Sequence, residues 1–185
     1  MASHAPVSQA SSQSLAGELR LRPLRRDDEK AFLSAHEVMA AESFAFGFGL
    51  EADVDWGDYL RTADDHRRGV NLTDDMVPAT FLVADVAGTI VGRASIRHEL
   101  NEVLEREGGH IGYCVLPGYR RRGYATEILR QSLIIIRAIG VEQALLLCDD
   151  DNTGSIAVIE RCGGKLEAVT SPIPSGPPIR RYWIN

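Results

Sequence analysis

The sequence predicts an α/β (α+β) fold: a mixed, mostly antiparallel central sheet with flanking helices. Three observations predict it. Strand-like runs and helix-period runs follow one another in the order β-α-α-β-β-β-α-β-α-β-β. One unit, 110–115, 123–139 and 143–148, has the strand–helix–strand form of a parallel, right-handed crossover. The other strands are mostly joined by hairpin-length connections, which favour antiparallel pairing.

The first strand is Glu18-Leu-Arg-Leu-Arg-Pro23, where charged and apolar residues alternate. A helix follows over 25–42, with Ala31, Phe32, Ala35, Val38 and Met39 at three- and four-residue steps. Ser43 to Gly49 is a Phe- and Gly-rich loop, a candidate lining for an acceptor pocket or a packed apolar loop. A second helix covers 53–67 and starts acidic, as the helix dipole favours. Strands 79–85 and 89–97 form a hairpin through Val86-Ala87-Gly88. After the charged connection 99–109 comes strand 110–115. The helix over 124–139 carries the stripe Ala125, Ile128, Leu129, Leu133, Ile136 and Ile139, and Gly140 stops it. Strand 143–148 is continuously apolar, the pattern of burial on both faces. A shorter helix, 152–162, and strands 165–169 and 179–184 complete the chain.

With 185 residues, the chain suits one domain over 17–185, preceded by a disordered Ser-, Gln- and Ala-rich tail over 1–16. The net charge of -6 disfavours a nucleic-acid partner. No apolar run is long enough for a membrane span. Cys114, Cys148 and Cys162 are odd in number and sit in or beside apolar stretches, so free buried thiols in a reducing, cytoplasmic compartment are expected.

The chemistry concentrates in Val115-Leu-Pro-Gly-Tyr-Arg-Arg-Arg-Gly-Tyr-Ala-Thr126. A strand ends there and a helix begins. Arg120, Arg121 and Arg122 crowd the partly positive helix start, where each costs roughly 0.3–1 kcal/mol. A bound anion relieves this, because the first-turn N–H groups point outward and Gly123 and Ala125 admit close approach. A solvated arginine surface with a turn glycine is the alternative.

Arg120-x-x-Gly123-x-Ala125, between a strand and a long helix, resembles the Arg/Gln-x-x-Gly-x-Gly/Ala motif of the GNAT superfamily of N-acetyltransferases. The helix from Asn152 to Gly163 resembles the family's Asn-to-Gly helix after the next strand. Arg97-His-Glu-Leu-Asn101, Gly108-Gly-His-Ile-Gly-Tyr113, Cys148-Asp-Asp-Asp-Asn152 and Arg181-Tyr-Trp-Ile184 resemble a bacterial GNAT subgroup known mainly as predicted acetyltransferases. The resemblance implies the acyl-CoA acyltransferase fold, with a parallel, splayed strand pair at the cofactor site. It also implies acetyl-CoA as cosubstrate. Cys114, Val115 and Leu116 would bond the pantetheine arm. Arg120, Arg121, Arg122, Gly123, Tyr124, Ala125 and Thr126 would hold the pyrophosphate, with Asn152 and Ser155 at the pantetheine end.

The reaction implied is direct attack of a primary amine on the thioester. A lysine-like ammonium, with pKa ~10.4, must give up a proton at a cost of ~4.6 kcal/mol at pH 7. Candidates for the base are Glu99 after the third family strand, His98 by its titration range, and His110 at the strand start. Many GNAT enzymes carry a tyrosine seven residues after the Asn as general acid, and here that position is Ile159. Unassisted thiolate departure, or another proton donor, must then be weighed, and so must a non-catalytic acyl-CoA-binding sensor on the same fold. Asp149-Asp-Asp151 reads as a capped loop rather than a metal site, and no metal is expected. Expected partners are a small-molecule or peptide amine and a second copy in a homodimer; Arg181-Tyr-Trp183 near the C-terminus reads as ordinary sheet packing, a border of the cleft or a dimer interface.

Overall fold

The computed structural model describes residues 18–50, 53–171 and 176–185. The expected tail over 1–16 lies outside the described residues.

The strands are β1 (Arg20–Arg22), β2 (Ala79–Val86), β3 (Thr89–Arg97), β4 (Ile111–Val115), β5 (Ala144–Asp149), β6 (Lys165–Thr170) and β7 (Ile179–Ile184). The helices are α1 (Glu29–Ala40), α2 (Trp56–Arg68), α3 (Tyr124–Ile139) and α4 (Thr153–Arg161). Local chemistry sets their ends. Asp55 accepts from the Asp58 N–H at the start of α2, and left-handed Gly69 closes that helix. Ala87 and Gly88 both take positive φ in the β2–β3 turn, as a tight hairpin requires.

The expected architecture is borne out, with one refinement: the sheet is divided in two. One sheet has the order β1-β2-β3-β4 and the other β5-β7-β6, and every ladder is antiparallel. Helix α3 carries the chain from β4 to β5 and packs on β3, β4 and β1. Leu129, Leu133 and Ile136 of α3 meet Ile96, Ile111, Leu146, Ile159 and Tyr182 in a core that spans both sheets. On the other side an aromatic cluster of Phe32, Phe46, Trp56 and Tyr59 fixes α1 and α2 against the first sheet. The connection 99–109, expected to be irregular, contains a wide helical turn over Leu104–Gly108, started by the Asn101 side chain accepting from the Leu104 N–H.

Candidate active site

β4 and β5 meet at one end. The His110 N–H donates to the Leu145 carbonyl at 2.7 Å, and the Leu145 N–H donates to His110 Nδ1 at 2.9 Å. Gly109 takes φ +65 there, and a Cβ on it would lie 2.6 Å from the Leu145 oxygen. Further along, Gly112 and Tyr113 line one cavity with Leu147 and Cys148, so the strands run in the same direction from this contact but with a cavity instead of a ladder. The splayed pair expected from the resemblance is therefore the seam between the two sheets.

A cavity of about 720 Å³ opens on this seam. β4 contributes Tyr113, Cys114 and Val115 to its wall. The turn into α3 contributes Arg120, Arg121, Gly123, Tyr124, Ala125 and Thr126, and α4 contributes Ser155 beside Asn152. Arg121 and Gly123 both have positive φ, at 64° and 83°, and no side chain caps the start of α3. Its first-turn N–H groups thus have no partner within the helix and leave a concavity of free donors. Two expected residues lie off this wall. Leu116 is buried in the aromatic cluster, with its N–H on the Val91 carbonyl. Arg122 turns back to the Gly118 carbonyl and stacks on Tyr119 at 5.6 Å.

Arg120 bonds the Val115 carbonyl through Nε at 3.1 Å and clasps the Glu42 carboxylate with both terminal nitrogens, at 3.1 and 2.5 Å. This hydrogen bonding holds Glu42 below the usual carboxylate range. Asn152 caps α4 by accepting from the Ser155 N–H at 3.0 Å. Burial pushes the Cys114 thiol up to about 11, which favours its protonated form at neutral pH. Among the described residues no three His, Cys, Asp or Glu side chains gather as a metal would need, and Asp150 is paired with Arg180.

A second cavity, about 290 Å³, shares Phe44, Tyr113, Asn152 and Ser155 with the first. Its wall adds Phe48, Arg93, Arg97 and Gly112, with Glu107 and Asp149 as its acidic residues. The Phe-rich loop thus does line a pocket through Phe44 and Phe48. Glu99, His98 and His110 line neither cavity. Glu99 is exposed. His98 Nε2 lies 2.8 Å from Thr80 Oγ1, and burial lowers its pKa. His110 is buried at the strand junction; burial lowers its pKa, and its Nδ1 is committed to Leu145.

Ile159 is 1% exposed and belongs to the core behind the site. Tyr113 stands at the site instead. Its hydroxyl is buried beside Ser155 with no bond of hydrogen-bonding geometry, and burial holds it above the ordinary phenol range. Tyr113, Arg93 and Glu42 are functional candidates that spacing alone does not single out. The one legible signal is Arg93 in the middle of a strand whose only other charge is Arg97 at its end.

The family model for the acetyltransferase (GNAT) domain matches residues 18–165. The chain belongs to the GNAT acetyltransferase family. No curated protein matches it by sequence. Solved GNAT-like structures share its fold at low identity. One is yncA, a putative acetyltransferase from Salmonella typhimurium with acetyl-CoA: 15% identity, 90% of this chain and 93% of that one, TM-score 0.61. Another is RimJ of Mycobacterium smegmatis in complex with CoA-disulfide: 19% identity, 92% and 83% covered, TM-score 0.66. A third is the microcin C7 self-immunity acetyltransferase MccE in complex with acetyl-CoA and AMP: 17% identity, 90% and 92% covered, TM-score 0.63. Among the described residues of this GNAT chain, no helix is long and apolar enough to cross a membrane.

Proposed function

We propose that this GNAT chain transfers an acetyl group from acetyl-CoA to a primary amine by direct attack on the thioester. The observation that carries the reading is the seam itself: two parted strands with an uncapped, glycine-opened helix start beside them. The fit to coenzyme A is physical. The concavity from Arg121 to Thr126, with Arg120 at its edge, suits a pyrophosphate, and the gap along Tyr113–Val115 suits an extended arm with free strand edges on one side. Acetyl-CoA supplies the activated acyl group, and the chain supplies position and proton handling.

The second cavity takes the acceptor. Its Glu107 and Asp149 receive the ammonium proton through water, which supports a base role for them over Glu99, His98 and His110. Tyr113, shared by both cavities, serves the leaving thiolate in place of a tyrosine at 159. The protonated Cys114 supports direct transfer over a covalent acetyl-enzyme. The three free thiols fit a reducing, cytoplasmic setting.

The test pairs calorimetric binding of acetyl-CoA with thiol release on an amine panel, using wild type and Gly123→Glu. Wild type is expected to bind and turn over. The variant, folded by circular dichroism, is expected to lose measurable binding because the carboxylate fills the anion's place at a residue already held at φ 83°. Binding without turnover on any amine favours an acyl-CoA sensor. Unchanged affinity in the variant sinks the assignment of the cofactor site.

A further inference from the structure

The second cavity holds two cations and no ion pair. Arg93 is 3% exposed. Its guanidinium lies over Phe44, Phe48 and Phe81, at 4.9, 4.8 and 5.8 Å, and one terminal nitrogen donates to the Ala45 carbonyl. Its Nε is buried with no partner. Arg97 is anchored through Nη1 alone, to the Gly108 and Gly109 carbonyls. No carboxylate among the described residues pairs with either side chain, and each is depressed by burial, Arg97 to about 10 with further repulsion from Arg93.

The two guanidiniums converge on one point. A Cβ on Gly112 would sit 3.5 Å from Arg97 Nη1 and 3.8 Å from Arg93 Nη1. Glycine leaves that point empty on the face where β3 presents both arginines toward β4. Stacking on phenylalanines accounts for part of Arg93's burial. It accounts neither for the idle Nε nor for Arg97, which lines the cavity with no hydrogen bond from Nε or Nη2 among the described residues. A buried and a half-buried like charge on one cavity wall are costly unless an anion joins them. Planar forks converging on one point suit an oxyanion bound by several charge-assisted hydrogen bonds.

We propose that Arg93, Arg97 and the bare Gly112 form an oxyanion receptor, so that the acceptor is a small amine carrying a carboxylate or phosphate. The inference rests on the acetyl-transfer reading above. Size agrees: about 290 Å³ admits an amino-acid-sized group and little more. Charge agrees as well, since Glu107 and Asp149 on the same wall are left to face the ammonium end.

The test measures thiol release from acetyl-CoA on matched pairs: α-amino acids against the amines left on removing their carboxylate, and O-phosphoethanolamine against ethanolamine. Which acidic partner prevails distinguishes carboxylate from phosphate. Wild type is expected to favour the acidic member of a pair by about 10–100-fold in kcat/KM, the scale of one or two hydrogen bonds to a charged group. Arg97→Gln is expected to lose that preference with unchanged acetyl-CoA affinity. Gly112→Ala keeps both cations, meets them at ordinary contact distance, fills the anion's place, and is expected to lose it too.

Equal turnover of both members by wild type overturns the receptor while leaving acetyl transfer standing. If no amine turns over, thermal unfolding with the same acids decides. Protection of wild type but not of Arg97→Gln keeps the receptor and removes acetyl transfer. Protection of neither overturns the receptor.

Discussion

Removing the Tyr113 hydroxyl separates a catalytic role from a structural one by sign. A buried hydroxyl without a partner destabilises the fold by about 1–3 kcal/mol. Tyr113→Phe keeps the ring against its neighbours and removes that cost. For a domain of this size each kcal/mol moves the melting temperature by about 2–4 °C. The variant is therefore expected to melt roughly 2–12 °C higher. If the hydroxyl assists the leaving thiolate, kcat falls at the same time. General-acid assistance is typically worth ~10²–10⁴, but a thiol with pKa near ~8.5 needs less help, so the expected loss is about 10–100-fold. That loss corresponds to about 1.4–2.7 kcal/mol at the transition state. The acetyl-CoA affinity is expected to hold. Thermal unfolding and initial rates of thiol release read both quantities on one preparation. A more stable protein with unchanged kcat removes Tyr113 from the chemistry, and a less stable one refutes the unpartnered hydroxyl.

Three further outcomes follow from the geometry. Glu42→Gln frees Arg120 and removes a negative charge from the cofactor cavity, so acetyl-CoA is expected to bind several-fold tighter by calorimetry; weaker binding would mean that Glu42 holds Arg120 in its working position. Arg22 bridges Asp28 and Asp85 with side chains 13%, 9% and 16% exposed, and Asp28→Asn is expected to cost about 3 kcal/mol in urea unfolding. The Arg22 hydrogen bond lowers the Asp28 pKa, so the folded state binds fewer protons than the unfolded one. This stabilisation is complete above about pH 4 and lost as pH falls through the lowered folded pKa, so the variant is expected to lose part of the acid sensitivity of the wild type. Ile159→Tyr is expected to cost about 1–3 kcal/mol by overpacking, with no gain in kcat, because that side chain faces the core and already abuts Gly164.

Periodicity and turn chemistry are local, and they carried most of the fold. The stripe from Ala125 to Ile139, the Ala87-Gly88 turn, the Asn152 cap and the glycine stops each report a backbone preference within a few residues. The stretch expected to hold the cofactor was legible for the same reason. Arg120, Gly123 and Ala125 lie on one short stretch, where charge and glycine suit an anion at a helix start and the match to the family motif implies the cofactor. The second cavity was not, because its residues come from separate elements. Arg93 and Arg97 on β3, Gly112 and Tyr113 on β4, Glu107 on the connection and the loop phenylalanines meet only after the hairpins fold. Titration range and sequence neighbourhood pointed to His98, Glu99 and His110, yet packing commits His98 to Thr80 and His110 to Leu145 and leaves Glu99 in solvent.

The sequence by itself determined the elements, their order and the glycine-opened turn before α3, since these depend on contacts within one or two turns of chain. Only the tertiary structure decided that β4 and β5 touch at His110 and Leu145 and then part. It also decided that Ile159 lies behind the opening while Tyr113 stands in it. Strand divergence and side-chain facing are set by non-local packing of α3 and α4 across two sheets, and no window of sequence contains both sides of that contact.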